Sequence, residues 1–126
     1  MVAIILAILV ILLFHYIGDF LLQTDQMAKK KSTDIRWLGA HTLAYTVALI
    51  PAVIILGFML GKWEQAVAFV LINGFLHGNV DMITSQINAK LWEKGQIHNF
   101  FCMIGFDQLV HSATLLLLFG YLYVLH

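Results

Sequence analysis

The sequence predicts an all-α protein: an integral-membrane four-helix bundle in a single domain spanning residues 1–126. Three observations carry that prediction. Hydrophobic residues make up 61% of the chain and charged residues 11%, whereas a soluble domain holds about 25% charged. Four stretches reach the roughly 20 mostly apolar residues that a spanning helix needs. The polar residues inside those stretches recur at helical spacing. One proline and no low-complexity tract leave no room for a flexible linker.

The first element, Val2–Leu22, opens with MVAIILAILVILLF, which has no charge. It lacks the basic start and the small-residue cleavage pattern of a secretory signal peptide, so it is expected to be a retained transmembrane helix. The second, Trp37–Leu60, contains Pro51, which removes one backbone hydrogen bond and predicts a kink. The third, Gln65–Asn88, places Asn73, His77, Asp81, Thr84 and Asn88 at spacings of four, four, three and four, hence on one face. Gly74 and Gly78 flank His77 in a G-x-x-x-G pattern that lets a neighbouring backbone come close. The fourth, Asn99–Leu125, ends in LLLLFGYLYVL. Tyr16, Tyr45, Trp37, Trp63 and Trp92 read as interface anchors and packing residues before catalytic groups.

Charge sets orientation and excludes partners. Seven basic and seven acidic residues cancel, so there is no basic surface for nucleic acid. Cys102, the single cysteine, cannot form an intrachain disulfide. The first connection holds Lys29, Lys30, Lys31 and Arg36, the third Lys90 and Lys94, and the second only Lys62. The positive-inside rule then puts the first and third connections in the cytoplasm and both termini outside, in the cell (inner) membrane. The Lys29–Lys31 and Arg36 cluster reads first as this topology signal, and second as a grip on anionic headgroups or a phosphate-bearing substrate.

Every span carries ionisable residues. His15 and Asp19, His77 and Asp81, and Asp107 and His111 are i,i+4 pairs, each projecting from one helical face. His41 joins them from the second helix. Alternating chain direction puts all seven in the cytoplasmic half. HYIGDF and HGNVDM are offset by 62 residues, and each leads into a polar connection and a second helix. The chain therefore also reads as two tandem two-helix repeats, with His41 matching Asp107, Tyr45 matching His111 and a site at the repeat interface.

An aspartate at membrane depth costs at least about 2.5 kcal/mol on insertion scales. Mutual His–Asp pairing would satisfy one such pair, but three pairs plus a fourth histidine point to a metal site. Imidazole and carboxylate suit zinc first, with manganese and iron as alternatives. Seven ligands (His15, Asp19, His41, His77, Asp81, Asp107 and His111) exceed the needs of one ion. They suit two divalent ions bridged by an aspartate and a water, the arrangement of phosphoester hydrolysis. Asp19, Asp81 and Asp107 are the candidates for bridge or general base. Gln23, Tyr45, Asn73, Thr84, Gln108 and Thr114 are placed to orient the ligands by hydrogen bonds, with ordinary interhelical bonding as their alternative role.

HYIGDFLLQTDQMAKKK, AHTLAY, HGNVDMITSQINAKLW and FDQLVH together resemble the bacterial and phage family called domain of unknown function 3307. That name implies no activity. More distantly, the pattern is similar to small multi-pass proteins classed as membrane-bound metal-dependent hydrolases, although their HS and LLD motifs are echoed only in VHS and HGNVD. That similarity implies metal binding by the same seven residues.

Two functions from different classes follow. The first is an integral-membrane metal-dependent hydrolase of a phosphoester or phospholipid. The second is a divalent metal-ion or proton transporter or channel, since intramembrane His/Asp chains also act as relays. The apolar outer halves of the first and fourth helices offer transport no polar path unless an oligomer builds one. Bis-histidine haem binding is disfavoured, because haem needs no carboxylate ligand. The expected partners are the bilayer and a membrane-embedded or phosphate-bearing small molecule, with a homo-oligomer left open.

Overall fold

The structure, a computed structural model, describes residues 1–125; His126, the last residue of the expected domain, lies outside the described residues. All regular structure among the described residues is helical: α1 (Val2–Tyr16), a π-helical turn π1 (Ile17–Leu21), α2 (Asp25–Lys30), α3 (Ile35–Ala48), α4 (Ile50–Leu60), α5 (Trp63–Glu93), α6 (Ile97–Phe119) and a second π turn π2 (Gly120–Leu125). Four continuous spans result, Val2–Leu21, Ile35–Leu60, Trp63–Glu93 and Ile97–Leu125, each long and apolar enough to cross a membrane. They form an all-α four-helix bundle, consistent with a multi-pass membrane protein.

The helices stand in chain order around a ring. Helix α5 packs on α3, α4 and α6, and α1 packs on α3, α4 and α6. The interior has two storeys. Away from α2 it is apolar, filled by Ile11, Leu49, Leu56, Phe69, Leu115 and Phe119. Towards α2 it is polar, with His15, Asp19, His41, His77, Asp81 and His111 all buried. Leu13, Val47, Phe75 and Leu117 face outward, which in water would be a liability and in lipid is ordinary.

Local chemistry explains where the elements depart from the sequence-based expectation. The second span breaks at Leu49, because Pro51 has no N–H to offer the carbonyl of Val47. Helix α5 runs past the expected Gln65–Asn88 because its ends are polar but still helix-forming, and it stops at Gly95. There φ is +66°, Gln96 N–H donates to Leu91 O and Gly95 N–H to Trp92 O, which is a Schellman closure. At 31 residues it is roughly 46 Å long, longer than a hydrocarbon core of about 30 Å. The first connection contains α2, whose Thr24 hydroxyl accepts from Met27 N–H as N-cap. Six residues were too few to show an apolar period.

The π turn has a positional role. Four-residue steps on an α-helix drift by about 40° each, so Ala7, Ile11, His15 and Asp19 would fan out across the face. The wider turn, closed by Leu22 N–H to Ile17 O, takes back part of that drift, and all four stay buried.

Helix α5 approaches α3 through Gly74 and Gly78, which lie against the side chains of Thr46 and Thr42. Lipid supplies no hydrophobic drive between helices, so contact of this kind holds the pair. A Gly74→Leu chain should lose about 1–3 kcal/mol of stability through overpacking. Unfolding of the detergent-solubilised protein in SDS checks this; an unchanged midpoint would show that α3 and α5 are not held here.

Candidate metal centre

Each side chain reaches the centre by a short route from its helix. Asp19 comes from π1, His41 from the second turn of α3, His77 and Asp81 from successive turns of α5, and Asp107 and His111 from successive turns of α6. Nε2 of His41 lies 3.2 Å from Asp19 Oδ1 and 3.0 Å from Asp81 Oδ2. Nε2 of His77 faces Nε2 of His41 at 3.1 Å and lies 3.6 Å from Asp19 Oδ1 and 3.7 Å from Asp81 Oδ2. His111 Nε2 is 3.1 Å from Asp81 Oδ1 and 3.3 Å from Asp107 Oδ1.

Two groups of converging donors emerge. Asp19, His41, His77 and Asp81 each offer an atom within 4.8 Å of the others, and so do Asp19, Asp107 and His111. Asp19 belongs to both. The first group is two imidazole nitrogens and two carboxylate oxygens, a donor set suited to a tetrahedral divalent ion. Such ions are a chemical fit here, because the site has more negative charge than its fixed cation offsets. Asp19, Asp81 and Asp107 bring three carboxylates, and Lys31 pairs with Asp81 through Nζ and Oδ2 at 2.7 Å. Buried unbalanced charge costs several kcal/mol per ion. Protonated imidazoles or a divalent ion make up the difference. Only one proton can sit between the facing Nε2 atoms of His41 and His77, whereas a cation takes both lone pairs.

His15 stands apart from both groups. The Gln108 amide donates to Asp19 Oδ2 at 2.7 Å and Asp107 Oδ2 at 3.1 Å, which turns its oxygen towards His15 Nε2 at 3.0 Å. An amide oxygen only accepts, so His15 Nε2 carries a proton, and Nδ1 faces the Tyr45 hydroxyl at 3.1 Å. Tyr45 also stacks on His77, with ring centroids 3.6 Å apart.

The remaining residues singled out from the sequence are distributed unevenly. Thr84 donates to Asp107 Oδ1 at 2.6 Å. Asn73 donates to Phe69 O and Thr114 to His111 O, both backbone oxygens. Gln23 Oε1 is buried without a hydrogen-bond partner, as are Nδ1 of His41 and of His77, among the described residues. Lys30 lies over the Trp37 ring at 5.5 Å. Arg36 hydrogen-bonds Asp34 on the exposed N-terminus of α3, holding that carboxyl below its ordinary range. Lys29 and Lys31 line a cavity of about 650 Å³ that runs from Asp19, Asp81 and Asp107 towards the α2 end. Its walls include Ser85, Trp92, Phe100 and Ile104, none of which periodicity had marked as functional. Trp92 packs at a tilt against Phe100, with ring centroids 5.1 Å apart and planes at 57°, a pairing visible only once the α5–α6 turn is closed.

No curated protein and no solved structure matches the chain. A family model described as "Protein of unknown function (DUF3307)" matches residues 5–125. With the match running over nearly the whole bundle and every residue of the centre, the chain belongs to the DUF3307 family.

Proposed function

We propose that this chain is an integral-membrane metal-dependent hydrolase of a phosphoester, with a binuclear His/Asp site in the cytoplasmic half of the cell membrane. The observation that carries the reading is the meeting of His41 Nε2 and His77 Nε2 at 3.1 Å between Asp19 and Asp81. Asp19, His41, His77 and Asp81 would hold one ion and Asp19, Asp107 and His111 a second, Asp19 being common to both groups. Zinc suits these donors first, then manganese or iron. Bound there, the ions would lower the pKa of a water and polarise a phosphoryl oxygen.

The side chains divide the remaining tasks. Asp107 is the most exposed of the three aspartates, at 14% against 4% for Asp19 and 2% for Asp81, and it faces the cavity. It is suited to take a proton from the attacking water. As the water oxygen bonds to phosphorus, the P–O bond to the leaving alcohol breaks, and that proton passes to the departing oxygen. Gln108 fixes Asp19 and Asp107 relative to each other, and His15 with Tyr45 fixes Gln108. Lys29 and Lys31 offer positive charge to the phosphate.

Elemental analysis of the purified protein in detergent tests the site, with about two divalent ions per chain expected from its two donor groups. Turnover of a phosphoester panel with and without chelator tests the reaction. A chain that binds no divalent metal while fully folded sinks the proposal. Transport is the second reading. Against it stands the apolar storey of Ile11, Leu49, Leu56, Phe69, Leu115 and Phe119, which leaves the centre no polar route to the far end. Metal or proton flux into proteoliposomes without turnover would reverse that order.

Orientation is part of the proposal, with both termini outside the cytoplasm and the lysines of the first connection inside. In a Cys102→Ser background, Lys30→Cys should resist a membrane-impermeant thiol reagent in intact cells and Gly61→Cys should react. The opposite pattern inverts the topology.

A further inference from the structure

We propose that the substrate is an anionic lipid with a phosphate in a hydroxyl-bearing head. It reaches the aspartates sideways, through a gap between π1 and α6, with its tail still in the bilayer. This rests on the hydrolase reading above and adds the class of substrate and its route.

The ring of helices is closed on three sides. Helix α3 seals against π1, α5 against α3, and α6 against α5. On the fourth side, no Cα of Ile17–Leu21 comes within 8 Å of one in α6. What spans that seam is side chains alone: Gln108 reaches from α6 to Asp19 and His15, and Asp107 and His111 converge on Asp19. The cavity lies behind it and is lined from both edges, by Phe20 on π1 and by Phe100 and Ile104 on α6. Phe20 is exposed, as is Phe101, which lies two turns before Gln108 on the same flank of α6. Apolar edges on an unsealed seam suit acyl chains; a purely aqueous substrate gains nothing from them.

Depth agrees with a headgroup. Asp19 is two residues from the end of its span, Val2–Leu21, which puts the carboxylates near the boundary between acyl chains and headgroups. Lipid phosphates lie at that level. The cavity is sorted to match, with Lys29 and Lys31 on the α2 side and apolar residues at the seam.

The hydroxyls follow from unmet hydrogen bonds. Gln23 Oε1, Ser85 Oγ and Asn88 Oδ1 are buried and without partners among the described residues, and all three residues line this cavity. Two of these atoms are amide oxygens, which only accept. A bare phosphate dianion has no donor for them, and a choline head has none either. A glycerol-type head supplies hydroxyl donors beside a phosphate, and a cavity of about 650 Å³ has room for both.

Native mass spectrometry of the detergent-released protein tests this with three probes of known composition. They are dioleoyl phosphatidylglycerol, dioleoyl phosphatidylcholine and deacylated glycerophosphoglycerol. Phosphatidylglycerol should be retained about tenfold over phosphatidylcholine, the worth of one or two hydrogen bonds, and over the deacylated head by more. Ile104→Trp, which narrows the seam, should cut lipid retention while bound metal stays at the wild-type level. Equal retention of the two lipids overturns the headgroup assignment. Equal binding of the deacylated head, or an Ile104→Trp chain that retains lipid normally, overturns the sideways route. Turnover is read separately: selective binding without hydrolysis refutes the hydrolase proposal, and with it the word substrate, but leaves the binding arms to be judged on their own outcomes.

Discussion

Asp81→Ala protein is expected to emerge from purification with its divalent metal lost, whereas the wild-type chain holds it. Asp81 engages the centre through both oxygens: Oδ2 lies 3.0 Å from His41 and 2.7 Å from Lys31, and Oδ1 3.1 Å from His111. Losing an outer partner of a metal ligand typically costs 10–100-fold in affinity, so losing a carboxylate ligand should cost roughly 100-fold or more. The alanine variant also leaves a hole and frees the Lys31 ammonium. Asp81→Asn separates those effects, because it keeps the shape and removes the charge. The expected result is a folded Asp81→Asn chain, by circular dichroism and size exclusion, with little metal and no metal-dependent rise in melting temperature. Wild-type metal content in the asparagine variant would show that Asp81 is a partner of the histidines and of Lys31, and no ligand.

Lys31→Met should have the opposite effect on metal. The ammonium sits 2.7 Å from the Asp81 oxygen that also faces His41 and His77. It therefore competes with any cation for that oxygen. Removing it should tighten divalent metal binding about tenfold, equivalent to roughly 1.4 kcal/mol, read by competition against a chelator. The metal-free protein should be less stable, since Asp81 loses its counter-charge. Breaking a buried pair costs about 3–5 kcal/mol; the Lys31 side chain is 16% exposed, so partial solvation brings the loss towards or below the low end. Binding to the folded state alone raises stability by mass action, so the gap in melting temperature between metal-loaded and metal-free protein should widen. An unchanged affinity would mean that Lys31 and metal do not contest the same carboxylate.

The spans and the facing pairs were legible because two strict demands act on them. A bilayer core requires long apolar runs, and helical geometry brings residues four apart onto one face, so His77 with Asp81 and Asp107 with His111 could be paired from spacing alone. Other features depend on tertiary packing and leave no period. Lys29, Lys30 and Lys31 are indistinguishable as sequence. Which one turns inward follows from where α2 ends, and that follows from the Thr24 cap and the approach of α3. His15 shares its spacing with the other pairs, yet it is drawn away from the two donor groups by Gln108 and Tyr45. Gln108 lies one residue off the Asp107 face, about 100° around the helix. It was nonetheless among the residues expected to orient the ligands; what spacing did not show is that it joins Asp19 to Asp107. The cavity was out of reach, because Phe20, Trp92 and Phe100 look like any aromatic residues near an interface until α5 and α6 are folded against each other.

The π turn at Ile17–Leu21 also limits how this gene can change over time. On the outward face of the apolar lead, at Ile5, Leu6, Leu9 and Leu13, one aliphatic residue can replace another at little cost, because lipid does not distinguish them. Within the turn the sensitive quantity is residue number. Deleting Ile17 or Gly18 would close the turn into a regular α-helical ladder and leave only two residues between His15 and Asp19, changing where that carboxylate points relative to His41 and Gln108. Aliphatic substitutions should therefore accumulate on the outward face upstream of His15, while insertions and deletions between His15 and Leu22 should be purged.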